Sequence, residues 1–576
     1  MLNKNVYNFL PHLEDSIPSE AVGYTLSMYS IALEGWRRGL SLKFINENKS
    51  KSLVLYSLSD GTKEHRFQVA RGDAVTKEAI KICVNKNLTK ESLKKENVSV
   101  PDGDNFGANT EDEEIINYAN KLGYPLVLKP SDGTGGNGVI ANIKNEEAFK
   151  QALNYVKYEL NYKKLIVEKY FAGEDYRLYV INNEVIAAFK KIPANVVGDG
   201  KHTIKELIAI KNKERTLTPA LRNRPIKVDG ETHNLLRSNG QTIESIPNKG
   251  MRIYLKTKNN VTSGGDSVDI TDELTDEIKG IAISASKAIP GLVQCGVDMM
   301  VDKEANTGVV IEVNSRPHIT AHLYPMIGKA RDIPKAVVDY YFPDTAQNNS
   351  KPTYYFDFKQ VWDGFTDGIC KEFKIPDIPQ GDIKATRISV MEMSVNDKYK
   401  NWIKKQALSL NLNGYIKHNQ NEATTVIVIS GLEKNVENFK EVLKKSLQQK
   451  SSVTITEKNW EKPVKIGFEI KKNSKKVSTN KTSKIVEEKT LQQKDEANGY
   501  FPIFLESVFP NKKSTSKKKN IKVKKEENIK DSEYIKLRLE RDYYKKKYTN
   551  LINSNSWKFT APVRGIGKII KKNQKK

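Results

Sequence analysis

The pattern most informative about the fold lies in Gln294–Pro317, which read QCGVDMMVDKEANTGVVIEVNSRP. Two short apolar runs, Gly296–Val301 and Gly308–Val313, are separated here by the polar residues Asp302–Thr307. Apolar runs of this length on either side of a polar turn predict two β-strands that pair as a hairpin.

Three side chains that carry oxygen lie within these runs. Asp298 is in the first run, and Glu312 and Asn314 are two residues apart in the second. Alternate residues of a strand point to the same face, so Glu312 and Asn314 share a face, and hairpin pairing brings Asp298 to them. Carboxylate and amide oxygens suit a hard cation such as Mg²⁺ or Mn²⁺ that also binds nucleotide phosphates. The alternative is that all three are polar residues at strand ends that face water.

A second motif, Tyr124–Ile143, reads YPLVLKPSDGTGGNGVIANI. The apolar strand Leu126–Leu128 leads directly into Lys129, whose ammonium group can contact a phosphate. Glycines permit close approach of the backbone, so that successive N–H groups can line a cavity for an anion. The glycines of this loop are Gly133, Gly135, Gly136 and Gly138. A simple glycine-rich hairpin turn is the alternative.

Two common phosphate-binding motifs do not fit this loop. A P-loop requires a Gly-Lys-Ser/Thr sequence, and a Rossmann turn leads into a helix, whereas this loop leads into another predicted strand.

The combined pattern resembles the ATP-grasp carboxylate–amine ligases. It consists of a strand, a lysine, a glycine loop and a second strand, followed far downstream by Asp and a Glu-x-Asn pair. The resemblance is closest to the ATP-grasp modules of cyanophycin synthetase and bifunctional glutathione synthetase. Further matching stretches are Asn85–Lys90, Asp175–Ile208 and Thr262–Glu273.

The resemblance implies an α/β (α+β) chain with an ATP-grasp fold, and it implies a nucleotide site. In the family, the lysine of an Asn/Asp-Lys pair contacts phosphate, and here that lysine is Lys86. Lys90 lies one helical turn further on and is expected to face solvent. Main-chain groups at a hinge bind adenine, and a nearby acid binds ribose; Asp175 is the ribose acid, with Glu174 as the alternative. The expected hinge residues are Glu168, Lys169, Tyr170 and Phe171.

The same resemblance implies catalytic cations. Arg177 lies on the predicted strand face of Asp175, where it can reach phosphate or a substrate carboxylate; a cross-strand salt bridge is the alternative. Arg316, two residues after Asn314, is expected to hold the transferring phosphoryl group or a substrate carboxylate, and Lys129 is expected to neutralise charge as that group moves. Lys191 stands where related enzymes usually have Arg, and it lacks the bidentate fork of that residue. Ser263–Gly265 offers N–H groups for an acyl phosphate, or forms a plain turn.

Composition limits the class of protein. A chain of 576 residues is too long for one core, and a mean hydropathy of −0.58 with 29% charged residues implies long solvated stretches. The three cysteines give neither a disulfide framework nor a metal motif, and no secretory signal or long apolar segment is present, so a cytoplasmic location is expected. The expected segments are an N-terminal α/β domain (1–72), an ATP-grasp domain (73–345), a linker (346–380), an acylphosphatase-like domain (381–472), a disordered Lys/Ser-rich linker (473–530) and a basic helical tail (531–576).

The acylphosphatase-like domain is expected to be ferredoxin-like, with the order strand, helix, strand, strand, helix, strand. That family cleaves acyl phosphates with an Arg in its phosphate loop and an Asn on a neighbouring strand. Lys400 stands at the Arg position and His418 near the Asn position, so a binding or docking role is expected in place of hydrolysis.

Charge is concentrated in the tail. Residues 473–576 hold 28 basic and 11 acidic residues, a net charge of +17, out of +25 for the whole chain. The overall basic charge therefore does not predict nucleic-acid binding by the catalytic part. Aromatic and aliphatic residues among the lysines of 553–576 predict peripheral contact with an anionic membrane at its inner face, and a solvated basic tail is the alternative.

The sequence thus predicts an ATP-dependent ligase that activates a carboxylate as an acyl phosphate and couples it to an amine. Its substrates are expected to be small-molecule or peptide carboxylates and amines, with a role in cell-envelope polymer or peptide biosynthesis. The P-loop ligase half of cyanophycin synthetase and the cysteine-ligating half of the glutathione enzymes are not recognised, so neither substrate set is adopted. A homo-oligomer is possible. A non-catalytic nucleotide-binding scaffold for envelope polysaccharide enzymes is the alternative.

Overall fold

The structure is a computed structural model, and it describes residues 9–46, 54–132, 137–347, 354–391, 396–419, 424–447 and 454–471. The predictions for the tail, 473–576, therefore lie outside the described residues.

The first part of the chain is one helix packed on an antiparallel sheet. Helix α1 begins at Tyr24 after Gly23, whose φ of 56° favours glycine. Leu26, Leu33 and Trp36 on this helix are fully buried, as their apolar character predicts. The elements are α1 (Tyr24–Arg37), β1 (Ser41–Ile45), β2 (Leu55–Ser59), β3 (Glu64–Gln68) and β4 (Arg71–Gly72).

The next part forms a smaller lobe that carries the glycine loop. Its antiparallel sheet has the strand order β5-β8-β6-β7, and α4 and α5 cover one face through Ile115, Phe149 and Leu153. The lobe consists of β5 (Gly103–Phe106), α4 (Asp112–Leu122), β6 (Leu126–Pro130), β7 (Ile140–Ile143), α5 (Glu146–Asn154) and β8 (Leu165–Lys169). The two helices before it, α2 (Lys77–Val84) and α3 (Lys86–Lys95), pack on the central sheet through Ala79, Ile82 and Leu93.

The central part is an antiparallel sheet of strand order β13-β10-β9-β14-β15. Helix α8 packs on it through Ile278, Ala282 and Ala285. An insertion between β10 and β13 contains a short strand pair, β11 with β12, and two helices. The elements are β9 (Glu174–Ile181), β10 (Glu184–Ile192), β11 (Asn195–Val197), α6 (Ile204–Thr216), α7 (Gly230–Ser238), β12 (Arg252–Tyr254), β13 (Asp266–Asp269), α8 (Asp276–Lys287), β14 (Gln294–Asp302), β15 (Thr307–Asn314), α9 (Thr320–Leu323) and α10 (Ile333–Tyr341).

The segment predicted as a linker, 346–380, is instead integrated into the fold. It contains β16 (Tyr354–Tyr355), α11 (Phe358–Thr366) and β17 (Glu372–Lys374). Strand β17 pairs with β1 at the edge of the N-terminal sheet. Phe356 and Phe358 are buried against Tyr29 and Phe44 in the N-terminal core. The aromatic residues of this segment therefore serve packing, because only burial removes their large apolar surfaces from water.

The last described part has the predicted order of elements and two further strands, of which β22 pairs with β16 and β23 with β19. Its sheet order is β21-β18-β20-β19-β23, with α12 and α13 on one face. The other face contacts the N-terminal core through Val428 and Val464, and Ser430 Oγ donates to Tyr354 Oη at 2.9 Å. The elements are β18 (Ile383–Val390), α12 (Asp397–Ser409), β19 (Asn413–Asn419), β20 (Thr424–Leu432), α13 (Glu433–Leu447), β21 (Ile455–Asn459), β22 (Val464–Lys465) and β23 (Phe468–Lys471).

A single core therefore joins parts that the sequence predicts as separate domains. This core contains residues of α1, of α10, of the segment 346–380 and of the last sheet. Among the described residues, no helix is both long and apolar enough to cross a membrane.

Candidate functional site

The predicted hairpin forms, and its register aligns the three predicted metal ligands. Strands β14 and β15 pair antiparallel with Asp298 opposite Glu312 and Gly296 opposite Asn314. Asp298 also lies opposite Arg177 on β9. Directly opposite residues of neighbouring strands project to one face, so Arg177, Asp298 and Glu312 form a row across the sheet.

Asp298 is a buried carboxylate between two cations. Its side chain is 8% exposed; it accepts hydrogen bonds from both Nε (2.8 Å) and Nη2 of Arg177 and from Nζ of Lys191 at 2.8 Å. Burial alone would raise the pKa of Asp298, but Arg177 and Lys191 hold it well below the ordinary carboxylate range. Arg177 thus forms the cross-strand salt bridge that the sequence left as the alternative, and this bridge places it beside the predicted metal ligands.

The donor set fits a hard cation that also binds phosphate. Asn314 Nδ2 lies 3.3 Å from Asp298 Oδ2, and the Glu312 side chain is exposed to the cleft. In the part of the chain that the structure describes, no group of three or more His, Cys, Asp or Glu residues is placed to hold a metal. Two carboxylates and one amide oxygen are nevertheless what Mg²⁺ uses when phosphates and water supply its remaining ligands.

Lys191 connects the predicted ribose acid to the predicted metal ligands. Its Nζ lies 2.8 Å from Asp175 Oδ1 and 2.8 Å from Asp298 Oδ1. Burial opposes the charge of Lys191, but the two carboxylates raise its pKa above the ordinary value. Burial also raises the pKa of Asp175, against the attraction of Lys191. Glu174, the alternative ribose acid, instead pairs with Lys190.

A second group of charges comes from α3 and from the smaller lobe. The Asn85 side chain accepts hydrogen bonds from the first amides of α3, which fixes Lys86 at the start of that helix. Glu168 on β8 pairs with both Lys129 and Lys90. Lys90 is only 15% exposed, so the expectation that it faces solvent is wrong. The sequence signal for a role of Lys90 beside Lys86 was the spacing of one helical turn between the two lysines.

Lys86 lies within electrostatic range of both groups of charges. Burial lowers the pKa of Lys86, the nearby charge of Lys129 lowers it further, and the carboxylates of Glu312 and Glu168 oppose this change. Lys86 on α3, Lys129 on the smaller lobe and the acids of the central sheet therefore face one cleft, as a nucleotide site between two lobes requires.

The glycine loop is described only at its ends. Gly133, Gly135 and Gly136 lie outside the described residues, whereas Gly138 has a φ of 72° and packs on Pro130 so closely that a side chain would collide with it. The left-handed backbone requires glycine at this position.

The predicted adenine hinge is partly used inside the fold. The Lys169 side chain donates to Gly123 O at 2.8 Å, and its N–H donates to Asp102 O at 2.7 Å. The Tyr170 N–H donates to Pro125 O at 3.0 Å. A contact of Lys169 with adenine would therefore have to come from its carbonyl group, and the roles of Tyr170 and Phe171 stay predictions.

Two other predicted positions have local roles. The three N–H groups of Ser263–Gly265 donate to the carbonyls of Asn260 and Val261, so this segment is a plain turn. In the acylphosphatase-like domain, Lys400 pairs with Asp397 at 2.9 Å, and His418 Nδ1 lies 2.9 Å from Thr425 Oγ1.

The residues after Asn314 line the cleft. Arg316 is exposed and has no carboxylate partner among the described residues. Desolvation, Arg224, Arg177 and Arg316 together lower the pKa of His318 to about 4. His322 is 2% exposed, and its ring meets Phe189 edge-on at 4.7 Å. Arg224 comes from the insertion, where the sequence gave no reason to expect a site residue.

Comparison with protein families identifies two domains. Residues 83–218 and 252–335 match the RimK-like ATP-grasp domain. Residues 397–470 match the acylphosphatase domain. The predicted resemblance to both families is confirmed, and so is the fold class.

Curated relatives match the same part of the chain. The glutathione biosynthesis bifunctional protein of Pasteurella multocida is 30% identical over 334 residues, which are 55% of this chain and 43% of that protein. Cyanophycin synthetase of Crocosphaera subtropica is 32% identical over 297 residues, 50% of this chain and 34% of that protein. A crystal structure of the bifunctional glutathione synthetase from P. multocida is 29% identical, covers 50% of this chain and 41% of that chain, and has a TM-score of 0.40. The chain spans less than half the length of these relatives.

Proposed function

Because the chain contains a RimK-like ATP-grasp domain with its acidic row and lysines on one cleft, we propose that it is an ADP-forming carboxylate–amine ligase. It transfers the γ-phosphoryl group of ATP to a substrate carboxylate. An amine then attacks the acyl phosphate, so that an amide bond forms and phosphate leaves. The observation that carries the proposal is that Lys86 lies within electrostatic range of both Lys129 and Glu312, and that the strand register places Glu312 opposite Asp298.

The side chains of this cleft have distinct roles in the proposal. Asp298, Glu312 and Asn314 would hold Mg²⁺, or Mn²⁺, which neutralises charge on the nucleotide phosphates. Lys86 on α3 and Lys129 on the smaller lobe bind phosphate oxygens, and Arg316 holds the phosphoryl group or the carboxylate. Lys191 and Arg177 keep Asp298 ionised and oriented. The glycine loop closes over the phosphates and excludes water, since acyl phosphates hydrolyse readily.

The proposal extends to the substrates and to the setting of the reaction. We infer an amino acid, short peptide or acidic sugar carboxylate joined to an amine in cell-envelope polymer or peptide synthesis. The reaction takes place in the cytoplasm, with residues 553–576 in contact with anionic lipid. Co-pelleting with anionic liposomes and with DNA at matched salt tests that contact; binding to DNA alone contradicts it.

An ADP-release screen over amino acids, dipeptides and uronic acids tests the activity. We expect release that requires both a carboxylate and an amine, and a loss of about 100-fold or more in Glu312→Gln, since charge on the phosphates is then poorly neutralised. The matched control is Glu304→Gln, in the exposed turn of the same hairpin. Nucleotide binding without release, for every substrate pair, would favour the scaffold alternative and contradict the ligase.

A further inference from the structure

The N-terminal part of the chain reaches the cleft through Arg71 on β4. Its Nη2 donates to Gln68 Oε1 at 2.7 Å, and its Nη1 lies 3.4 Å from Ser315 Oγ. Ser315 directly precedes Arg316, so the N-terminal sheet holds a guanidinium group beside the loop that follows the predicted metal ligands.

The insertion supplies a second guanidinium group at the same loop. Arg224 lies against Gly23, where a methyl group on Gly23 would be 3.4 Å from Nη2. The fully buried Arg215 fixes this segment, since its Nε donates to Arg224 O at 2.9 Å. Ser27, one helical turn beyond Gly23, accepts a hydrogen bond from the N–H of Ile319 at 3.3 Å. The loop from Ser315 to Ile319 therefore runs between Arg71 and Arg224.

These cations have no counter-charge in the described part of the chain. Arg71, Arg224 and Arg316, here called the arginine pocket, form no ion pair with a described carboxylate. Arg38 and Arg331 are paired with carboxylates, those of Glu34 and Asp269, and the buried Arg37 donates to two carbonyls and to Ser16 Oγ.

The charges of the pocket act on one another. Burial lowers the pKa of Arg71, and Arg316 lowers it further. Desolvation lowers the pKa of His318, and the positive charges of Arg224, Arg177 and Arg316 lower it further. Unpaired charges of one sign repel each other, and they create a positive potential that an anionic ligand would relieve.

We propose that the arginine pocket binds a second acidic group of the substrate, so that the enzyme acts on polycarboxylates in which the reacting carboxylate is one of several. This inference rests on the proposed ligase function and narrows its substrate class. Arg316 serves the reacting end, while Arg71 and Arg224 bind a carboxylate further along the molecule, because a guanidinium fork pairs with a carboxylate through two hydrogen bonds. The N-terminal domain then selects substrate in addition to packing.

Binding of length-matched peptides that differ in charge, measured at saturating Mg-ADP, tests the proposal. Triglutamate and tetraglutamate are compared with triglutamine and tetraglutamine by calorimetry, so that nucleotide phosphates do not compete for the pocket. We expect the wild-type chain to bind tetraglutamate at least about tenfold tighter than tetraglutamine, with a preference that falls as salt rises. Equal affinity of the wild-type chain for the two tetrapeptides overturns the proposal without any variant.

Variants locate the preference. Arg71→Gln/Arg224→Gln should reduce it to about twofold or less, whereas Arg71→Lys/Arg224→Lys keeps the charge and retains part of it. The matched control is Arg66→Gln/Arg237→Gln, which removes two exposed arginines from the same two parts of the chain. A preference that survives in the first variant, or that the control also loses, contradicts the assignment to the pocket.

Three further outcomes distinguish this inference from its alternatives and from the ligase proposal. Tripolyphosphate that binds tighter than tetraglutamate, in a manner that depends on Arg71 and Arg224, would assign the pocket to phosphates and overturn the polycarboxylate class. Release of ADP with monocarboxylates but no preference for tetraglutamate would leave the ligase standing and overturn this inference. Preference for tetraglutamate without any ADP release would overturn the ligase proposal and leave the arginine pocket as a binding site for polycarboxylates.

Discussion

At the scale of the residue, the site depends on charges that share partners. Glu168 divides its carboxylate between Lys90 and Lys129, and Asp298 divides its carboxylate between Arg177 and Lys191. Each shared carboxylate holds two cations at defined positions while leaving neither fully neutralised. A nucleotide phosphate can then bind without first breaking a complete ion pair.

Replacement of Lys90 tests this sharing. In Lys90→Met we expect the affinity for an ATP analogue with Mg²⁺ to fall about tenfold, because Glu168 then draws Lys129 away from phosphate. Fluorescence titration measures the dissociation constant. The control is Lys94→Met, an exposed lysine one turn further along α3. Unchanged affinity in Lys90→Met would show that Lys90 serves the fold alone.

His322 predicts a pH dependence of stability. Burial lowers its pKa to about 3, and among the described residues neither ring nitrogen has a hydrogen-bond partner. The ordinary value is 6.5, so below pH 6.5 the unfolded chain binds a proton that the folded chain does not, and folding weakens as pH falls towards 3.

In His322→Phe we expect the decline of unfolding free energy between pH 6.5 and 4 to be smaller by up to about 1.4 kcal/mol per pH unit. Urea unfolding at a series of pH values measures it. His233→Gln, at an exposed histidine, should leave the slope as in the wild-type chain. An identical slope in His322→Phe and the wild-type chain would mean that His322 is protonated in the fold.

At the scale of the element, the insertion between β10 and β13 is tied to the central sheet by buried charges. Arg215 on α6 is fully buried and donates to the carbonyls of Gly265 (3.1 Å) and Arg224 (2.9 Å). Asp266 on β13 pairs with Arg215 and, at 2.6 Å, with Lys211. This network holds the segment of Arg224 against the cleft.

Loss of the Arg215 guanidinium should therefore be costly. In Arg215→Met we expect a destabilisation of about 3 kcal/mol, because buried carbonyls and Asp266 lose a charged donor, although Lys211 still pairs with Asp266. Thermal and urea unfolding measure it, with the exposed Lys213→Met on the same helix as the control. A change below 0.5 kcal/mol, the range of neutral surface substitutions, would contradict this role.

At the scale of the whole molecule, one core unites sequence segments that lie far apart. Trp36 on α1 donates to Pro376 O at 2.9 Å, and Phe356 packs on Trp36 at 5.6 Å between ring centres. The N-terminal core, on which the ATP-grasp part packs, is therefore completed by residues that follow the ATP-grasp part in the chain.

Truncation tests this dependence. A chain that ends at residue 347 lacks Phe356, Phe358 and β17, so the N-terminal core loses several buried aromatic residues that each contribute about 3 kcal/mol or more. We expect it to aggregate or to unfold at a clearly lower temperature than a chain that ends at residue 471. Equal melting temperatures of the two, measured by calorimetry, would show that the ATP-grasp part folds independently of the segment.

The local sequence pattern was sufficient to predict those features of the fold and of the site that depend only on neighbouring residues. Alternation along a strand placed Glu312 and Asn314 on one face, and an apolar run followed by Lys129 marked the end of β6. The ferredoxin-like order of the last domain followed in the same way from its apolar runs. Local pattern failed for Lys90, because a lysine on a helix surface gives no sign of whether Glu168 lies opposite.

The order of residues along the chain thus decides which segments become strands and which side chains share a face, since both follow from the backbone period. Three-dimensional packing decides the partners of each charge and the closure of the core. Arg71, Arg224 and Arg316 are 92 to 245 positions apart, and the aromatic segment at 354–374 looks like a linker until the N-terminal sheet presents the surface that it covers. Contacts at such separations arise from the whole fold, because burial and Coulomb energy depend on distance in space and not on distance along the chain.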